Sequence, residues 1–141
     1  MPLNPIKFPN AEDNGCQKLS DATPKYNCIA FANGDTENWW EPHADGKWPD
    51  DIPYEWTLIS LTLLFQRDGY VVCQDSELEP ELEKVAIYAL NGIPTHAALQ
   101  LFNGKWASKL GKDKDIVHDA LDALNGPYYG EAVLFMRRPR E

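Results

Sequence analysis

KVAIYALNGIPTHAALQLFNGKWAS, Lys84 to Ser108, is the stretch on which the fold class turns. It divides into three apolar runs, Lys84 to Leu90, Thr95 to Leu101 and Lys105 to Ser108, parted by Asn91-Gly92 and Asn103-Gly104. Asn-Gly between such runs is the strongest short-range hairpin signal, because both residues tolerate the positive φ that a tight hairpin turn requires. The spacing predicts an antiparallel meander, with His96 opening its middle strand.

The flanks add helices. Before the meander, Leu58, Leu61, Leu64 and Phe65 recur at helical spacing, Thr57 is placed to cap the start, and Asp68-Gly69 stops the run. Tyr70 to Cys73 is a short apolar run that reads as an edge strand, and Asp75 to Glu83 as a solvated acidic loop. Further upstream, residues 27 to 33 read as a short helix ended by Asn33-Gly34. The intervening residues 35 to 56 form a long irregular segment holding Trp39, Trp40, Trp48 and Trp56. Residues 1 to 25, with Pro2, Pro5, Pro9 and Pro24, read as an extended arm. After the meander, Ile116, Ala120, Leu121 and Leu124 predict a second amphipathic helix over Asp115 to Leu124, and Ala132 to Arg137 a last strand. Helices, then a meander, then helix and strand make an α+β layout, and 141 residues predict a single domain over 1–141.

Charge and composition narrow the function. The formal charge of −9 disfavours a nucleic-acid surface, which needs Lys and Arg to displace counterions, and equally disfavours anionic lipid. It suits a soluble peptide or protein substrate, or a basic protein partner. Three cysteines with no CxxC pair indicate neither a disulfide framework nor a zinc ribbon, so no metal and no cofactor is expected. The N-terminus has no basic start followed by an apolar run, so a reducing, cytoplasmic setting is expected, and export would need a route other than a Sec-type signal. Oligomeric state is not specified by these features.

Cys28 and His96 are the candidate catalytic pair. A thiol in the opening turn of a helix sits where the backbone dipole favours the thiolate. An imidazole at a neighbouring strand start is placed to take its proton and return it. Tyr26 and Asn27, directly before Cys28, and the aromatic loop residues Trp39 and Trp40 are the expected oxyanion and binding contacts, together with the first-turn N–H groups. A third group should orient the imidazole. Ser108, on the strand after His96, is the geometric favourite, and His118 is the rival for that role and for the base. His43 lies in a loop. Cys16 and Cys73 have no comparable setting, and the bland alternative for Cys28 is a small buried hydrophobe.

The order of a helical Cys, a His opening a meander strand and a polar residue on the next strand resembles the compact bacterial papain-like cysteine hydrolases, nearest in layout the NlpC-type and CHAP-type cell-wall amidases and peptidases. The runs Tyr26 to Ala32, Pro94 to His96, Trp106 to Gly111 and Tyr128 to Gly130 are also similar to a small bacterial family of uncharacterised domains, over most of the chain from about Tyr26 onward. The resemblance implies a papain-like core over 26–141 with Cys28 as nucleophile and His96 as base. Ser108 departs from the His, Asn, Gln or acid usual at the third position. Two classes of function follow: a cysteine-dependent hydrolase or acyl transferase of the peptidase, amidase or deamidase type, or a non-catalytic acidic binding module such as an immunity or adaptor protein.

Overall fold

In a computed structural model describing residues 3–12, 15–43 and 46–140, the meander is the centre of a seven-stranded sheet. In chain order the elements are β1 (Gln17–Ser20), α1 (Cys28–Ala32), α2 (Leu58–Arg67), β2 (Val71–Cys73), β3 (Leu82–Leu90), β4 (Ile93–Gln100), β5 (Trp106–Lys109), β6 (Asp115–His118), a 3-10 turn (Leu121–Leu124) and β7 (Glu131–Pro139). The strands lie in the order β1-β6-β5-β4-β3-β7-β2, with every pairing antiparallel. Asn91 and Gly92 both take positive φ, 54° and 81°, and close the β3–β4 hairpin as the sequence predicts.

The predicted papain-like α+β core with additional helices is overturned. The described residues hold only two α-helices, of five and ten residues, beside the seven strands. Two segments account for the difference. Residues 115 to 124 are not a helix: Asp115–His118 is β6, paired to β5 on one side and β1 on the other, and only the 3-10 turn remains of the helical run. Strand pairing on both edges outweighs an apolar spacing that imitates a helix. The N-terminal arm is not wholly irregular either, since Gln17–Ser20 forms the edge strand β1.

The sheet is covered on both faces, which is why β3 is buried almost throughout. Val85, Ile87 and Ala97 pack with Ile29 and Ala30 of α1 and with Leu61, Leu64 and Phe65 of α2. Ala86, Tyr88 and Ala98 pack on the other face with Trp106, Ile116, Leu124, Tyr129 and Phe8 of the arm. The acidic loop is not merely solvated. Lys84, whose side chain is 1 % exposed, holds Asp75 at 3.1 Å and Glu79 at 2.9 Å.

Candidate functional site

Asn27 positions the cleft. Its extended backbone stops α1 from running further back, and its Oδ1 accepts from the Ala30 N–H at 3.1 Å, so the helix begins at Cys28. The same Oδ1 accepts from the Trp40 N–H at 3.3 Å, while Nδ2 donates to the Trp40 carbonyl at 2.6 Å. The aromatic loop is thereby clamped to the helix start. With these bonds made, the Asn27 side chain acts as a helix cap and loop clamp.

Between the helix start and the loop lies a cleft of about 370 Å³, lined by Cys28, Asn27, Thr95, Gly111 and Glu41 and by the rings of Trp39, Trp56, Tyr128 and Tyr129. Trp56 is tied down through Nε1 to the Pro94 carbonyl at 2.7 Å, and Tyr129 through its carbonyl, which accepts from Thr95 Oγ1 at 2.5 Å. The expectation that the tryptophan loop walls the Cys28 cleft is met by Trp39. Trp40 lines a different, larger cleft of about 490 Å³ and donates Nε1–H to Asp35 at 2.7 Å. Tyr26 also lies outside the Cys28 cleft, its hydroxyl donating to Asp115 at 2.7 Å.

The thiol of Cys28 is buried, and this burial pushes it up to about 11. The backbone N–H groups of Ala97, Ile29 and Cys28 itself, and the positive charge of Lys109, pull the other way without overcoming the loss of water. The low thiol pKa expected from the helix start is therefore not realised at rest. Cys16 is also raised, by burial and by Asp119.

His96 is fully buried, stacked on Tyr129 at 4.3 Å between ring centroids and edge-on to Tyr88 at 5.4 Å. Neither ring nitrogen has a hydrogen-bond partner, and none joins it to Cys28. Strand alternation explains this. His96 is paired with Tyr88 and shares the face of Ala86 and Ala98, whereas Cys28 packs with Ala97 on the face covered by α1. The Cys28 sulfur on α1 thus lies at the N–H of the β4 residue after His96, but no hydrogen bond joins the two side chains.

Ser108 and His118 find each other instead. β4 and β5 pair only at Leu99↔Ala107 and Gln100↔Trp106, so Ser108 has no partner on β4. Its Oγ lies 2.8 Å from His118 Nε2, and His118 Nδ1 lies 2.8 Å from the Ala120 carbonyl. A carbonyl only accepts, so Nδ1 is assigned the proton and the Ser108 hydroxyl donates to Nε2. His118 stands on a strand, and neither residue orients His96 through a hydrogen bond.

Sequence reasoning missed Lys109. Fully buried on β5, it donates to the Thr23 carbonyl at 2.8 Å, the Asp113 carbonyl at 2.6 Å and the Gly111 carbonyl, and lies 5.0 Å from the Tyr26 ring centroid. Its position after Ser108 gave no signal, because a lysine at a strand end usually reaches water.

Burial holds His96 well below its ordinary value, with the neighbouring His118 adding to the effect, and burial also lowers His118. The unfolded chain then binds protons that the folded chain does not. Stability from these two groups is complete above about pH 6.5 and falls below it, by roughly tenfold in the folding equilibrium per pH unit for each histidine, until the folded values are reached. His96→Phe keeps the ring stack and removes one of these protons. Urea midpoints at pH 7, 6 and 5 should fall less steeply for this variant than for the wild type. Parallel slopes would show that His96 is already charged in the fold.

Among the described residues no group of three or more His, Cys, Asp or Glu side chains is gathered to hold a metal ion, and no helix is long and apolar enough to cross a membrane. A family model described as Domain of unknown function (DUF7689) matches residues 17–137. No curated protein and no solved structure matches the chain.

Proposed function

The chain belongs to the Domain of unknown function (DUF7689) family, and we propose that it is a cysteine-dependent hydrolase or acyl transferase acting on an amide or ester carbonyl. Cys28 is the nucleophile and His96 its proton acceptor. The observation that carries this reading is His96 itself: a buried imidazole with two unpaired nitrogens, one residue from the N–H that lies at the Cys28 sulfur. Leaving such a group unpaired costs about 1–3 kcal/mol, so a move toward a partner sacrifices no hydrogen bond and gains one. Catalytic hydrogen bonds are often unmade before substrate binds.

Both shifts favour a neutral pair, a protonated thiol and an uncharged imidazole. The chemistry then runs by general base catalysis and not through a preformed thiolate–imidazolium pair. For His96 to serve, its ring must leave the Tyr129 stack and come round β4 at the Thr95 irregularity to the face of Cys28, where it takes the Sγ proton as the Sγ–carbon bond forms. The carbonyl oxygen takes up the negative charge, which the Cys28 and Ile29 N–H groups stabilise. Collapse breaks the C–N or C–O bond, and the proton returns from His96 to the leaving amine or alcohol. Water or an acceptor amine then releases the acyl group from Cys28.

A second reading, a non-catalytic acidic binding module, is favoured by the sequestered thiol and the unengaged imidazole in a chain of charge −9. Labelling separates the two. A peptidyl chloromethyl ketone, which fills the cleft before reacting, should modify Cys28 at neutral pH much faster than iodoacetamide does. His96→Gln should slow the ketone by on the order of 100-fold, the range expected for a lost general base. Equal labelling with and without His96, or no advantage of the ketone over iodoacetamide, would leave the binding module as the function.

A further inference from the structure

We infer that the cleft beside Cys28 selects a peptide with a cationic side chain, lysyl or arginyl, seated against its aromatic rings with Glu41 as counter-charge. The inference takes this cleft as the substrate site, as proposed above, and adds the class of substrate.

The lining has one sign of charge. Glu41 is its carboxylate, and no Lys, Arg or His lines it. The larger cleft, by contrast, mixes Asp35 and Glu37 with Lys47, Arg67 and Arg138. Among the described residues the Glu41 side chain has no ion pair or hydrogen bond, whereas Asp35, Asp75, Glu79 and Glu83 all have partners. Among the lining residues themselves, an anion entering the Cys28 cleft meets only a like charge. Lys109, whose charge acts on Cys28, is committed to three backbone carbonyls.

The rings supply the other half of the recognition. A cation over an aromatic face within about 6 Å of the centroid is attracted by the ring quadrupole. One of the cleft's rings already holds one: Lys7 of the N-terminal arm places Nζ 4.4 Å from the Tyr128 centroid. Trp39, Trp56 and Tyr129 carry no cation of the chain's own among the described residues. Trp39 and Trp56, which hold no cation, and one unpaired carboxylate beside about 370 Å³ of cleft fit an extended aliphatic stem ending in a positive charge. The charge of −9 adds attraction for a basic peptide at long range.

The test is made on the full chain carrying Cys28→Ala, so that binding is read without turnover. Acetyl-Ala-Lys-Ala-amide is titrated against its norleucine and glutamate counterparts, followed by tryptophan fluorescence and checked by calorimetry. The lysine peptide should bind on the order of tenfold more tightly than the norleucine peptide, and the glutamate peptide more weakly than either. Adding Glu41→Gln should bring the lysine-to-norleucine ratio to within about twofold, and raising the salt should reduce it in the same direction. Trp39→Leu, a second variant, should weaken the lysine peptide even with Glu41 in place. A norleucine peptide that binds as tightly as the lysine peptide, a ratio unmoved by Glu41→Gln, or no binding of any of the three would overturn the inference. Ketone labelling of Cys28 without a lysine preference sinks this inference alone. A lysine preference without His96-dependent labelling sinks the proposed chemistry and leaves the cleft's selectivity standing.

Discussion

Lys109→Ala should cost the fold about 3–5 kcal/mol, because three backbone carbonyls lose a charged donor at roughly 1–3 kcal/mol each. Its ammonium is the shared donor for the carbonyls of Thr23, Asp113 and Gly111, and its charge interacts with that of the buried Asp115. These groups tie the chain just before α1 and the β5–β6 turn to the sheet. Without Lys109, three carbonyls lose their donor and the Asp115 carboxylate keeps only Tyr26 and Ser20. For a domain whose total stability is of order 5–15 kcal/mol, the loss should bring the urea midpoint close to the start of the titration. Lys109→Met with Asp115→Asn should recover part of it, because the second change removes the stranded charge. A loss below about 1 kcal/mol would mean that water reaches those carbonyls and that Lys109 is not the tie between the two segments.

Cys28→Ala should abolish acyl transfer while lowering the urea midpoint only slightly. The sulfur is a single buried atom and the cap comes from Asn27, so the cost should stay at about 1 kcal/mol. On peptidyl aminomethylcoumarin substrates with lysine next to the scissile bond, turnover by the alanine variant should fall to background. His96→Gln should lower kcat/KM by about 100-fold or more, since it removes the base but keeps a ring-sized side chain near Tyr129. If Cys28→Ala retains turnover, Cys28 is not the nucleophile. If the wild type has none while the lysine peptide still binds, the protein is a binding module and its cleft a recognition site.

Much of this was legible before any coordinates. Asn91-Gly92 could only be a tight hairpin, because few residues other than glycine, asparagine and aspartate take positive φ at both central positions. Thr57 announced its helix, since its side chain satisfies an N–H that the first turn leaves open, whereas Asn27, expected as a contact of the site, is the cap of the other. Trp39 beside Cys28 followed from a long aromatic loop returning to the helix start. Two segments misled. Ile116, Ala120, Leu121 and Leu124 carry a helical spacing that β-pairing on both sides overrides, and Gln17–Ser20 is so polar that only its backbone pairing to β6 makes it a strand.

By itself, then, the chain's order of residues determined the local elements whose signals lie within a few positions of one another: the capped helices, the Asn-Gly hairpin, the thiol in a helix's opening turn. The sheet's full extent, the hold of Lys109 on Thr23 and the face on which His96 stands were decided only by the tertiary structure. Tyr88 pairs with His96 but Ala89 pairs with Pro94, so the register shifts beside the histidine and Thr95 is taken up in the irregularity. Side chains alternate with a period of two, and a slip of one residue sends a side chain to the opposite face. Such a shift depends on where two distant strands come into register, which no local pattern around Thr95 or His96 records.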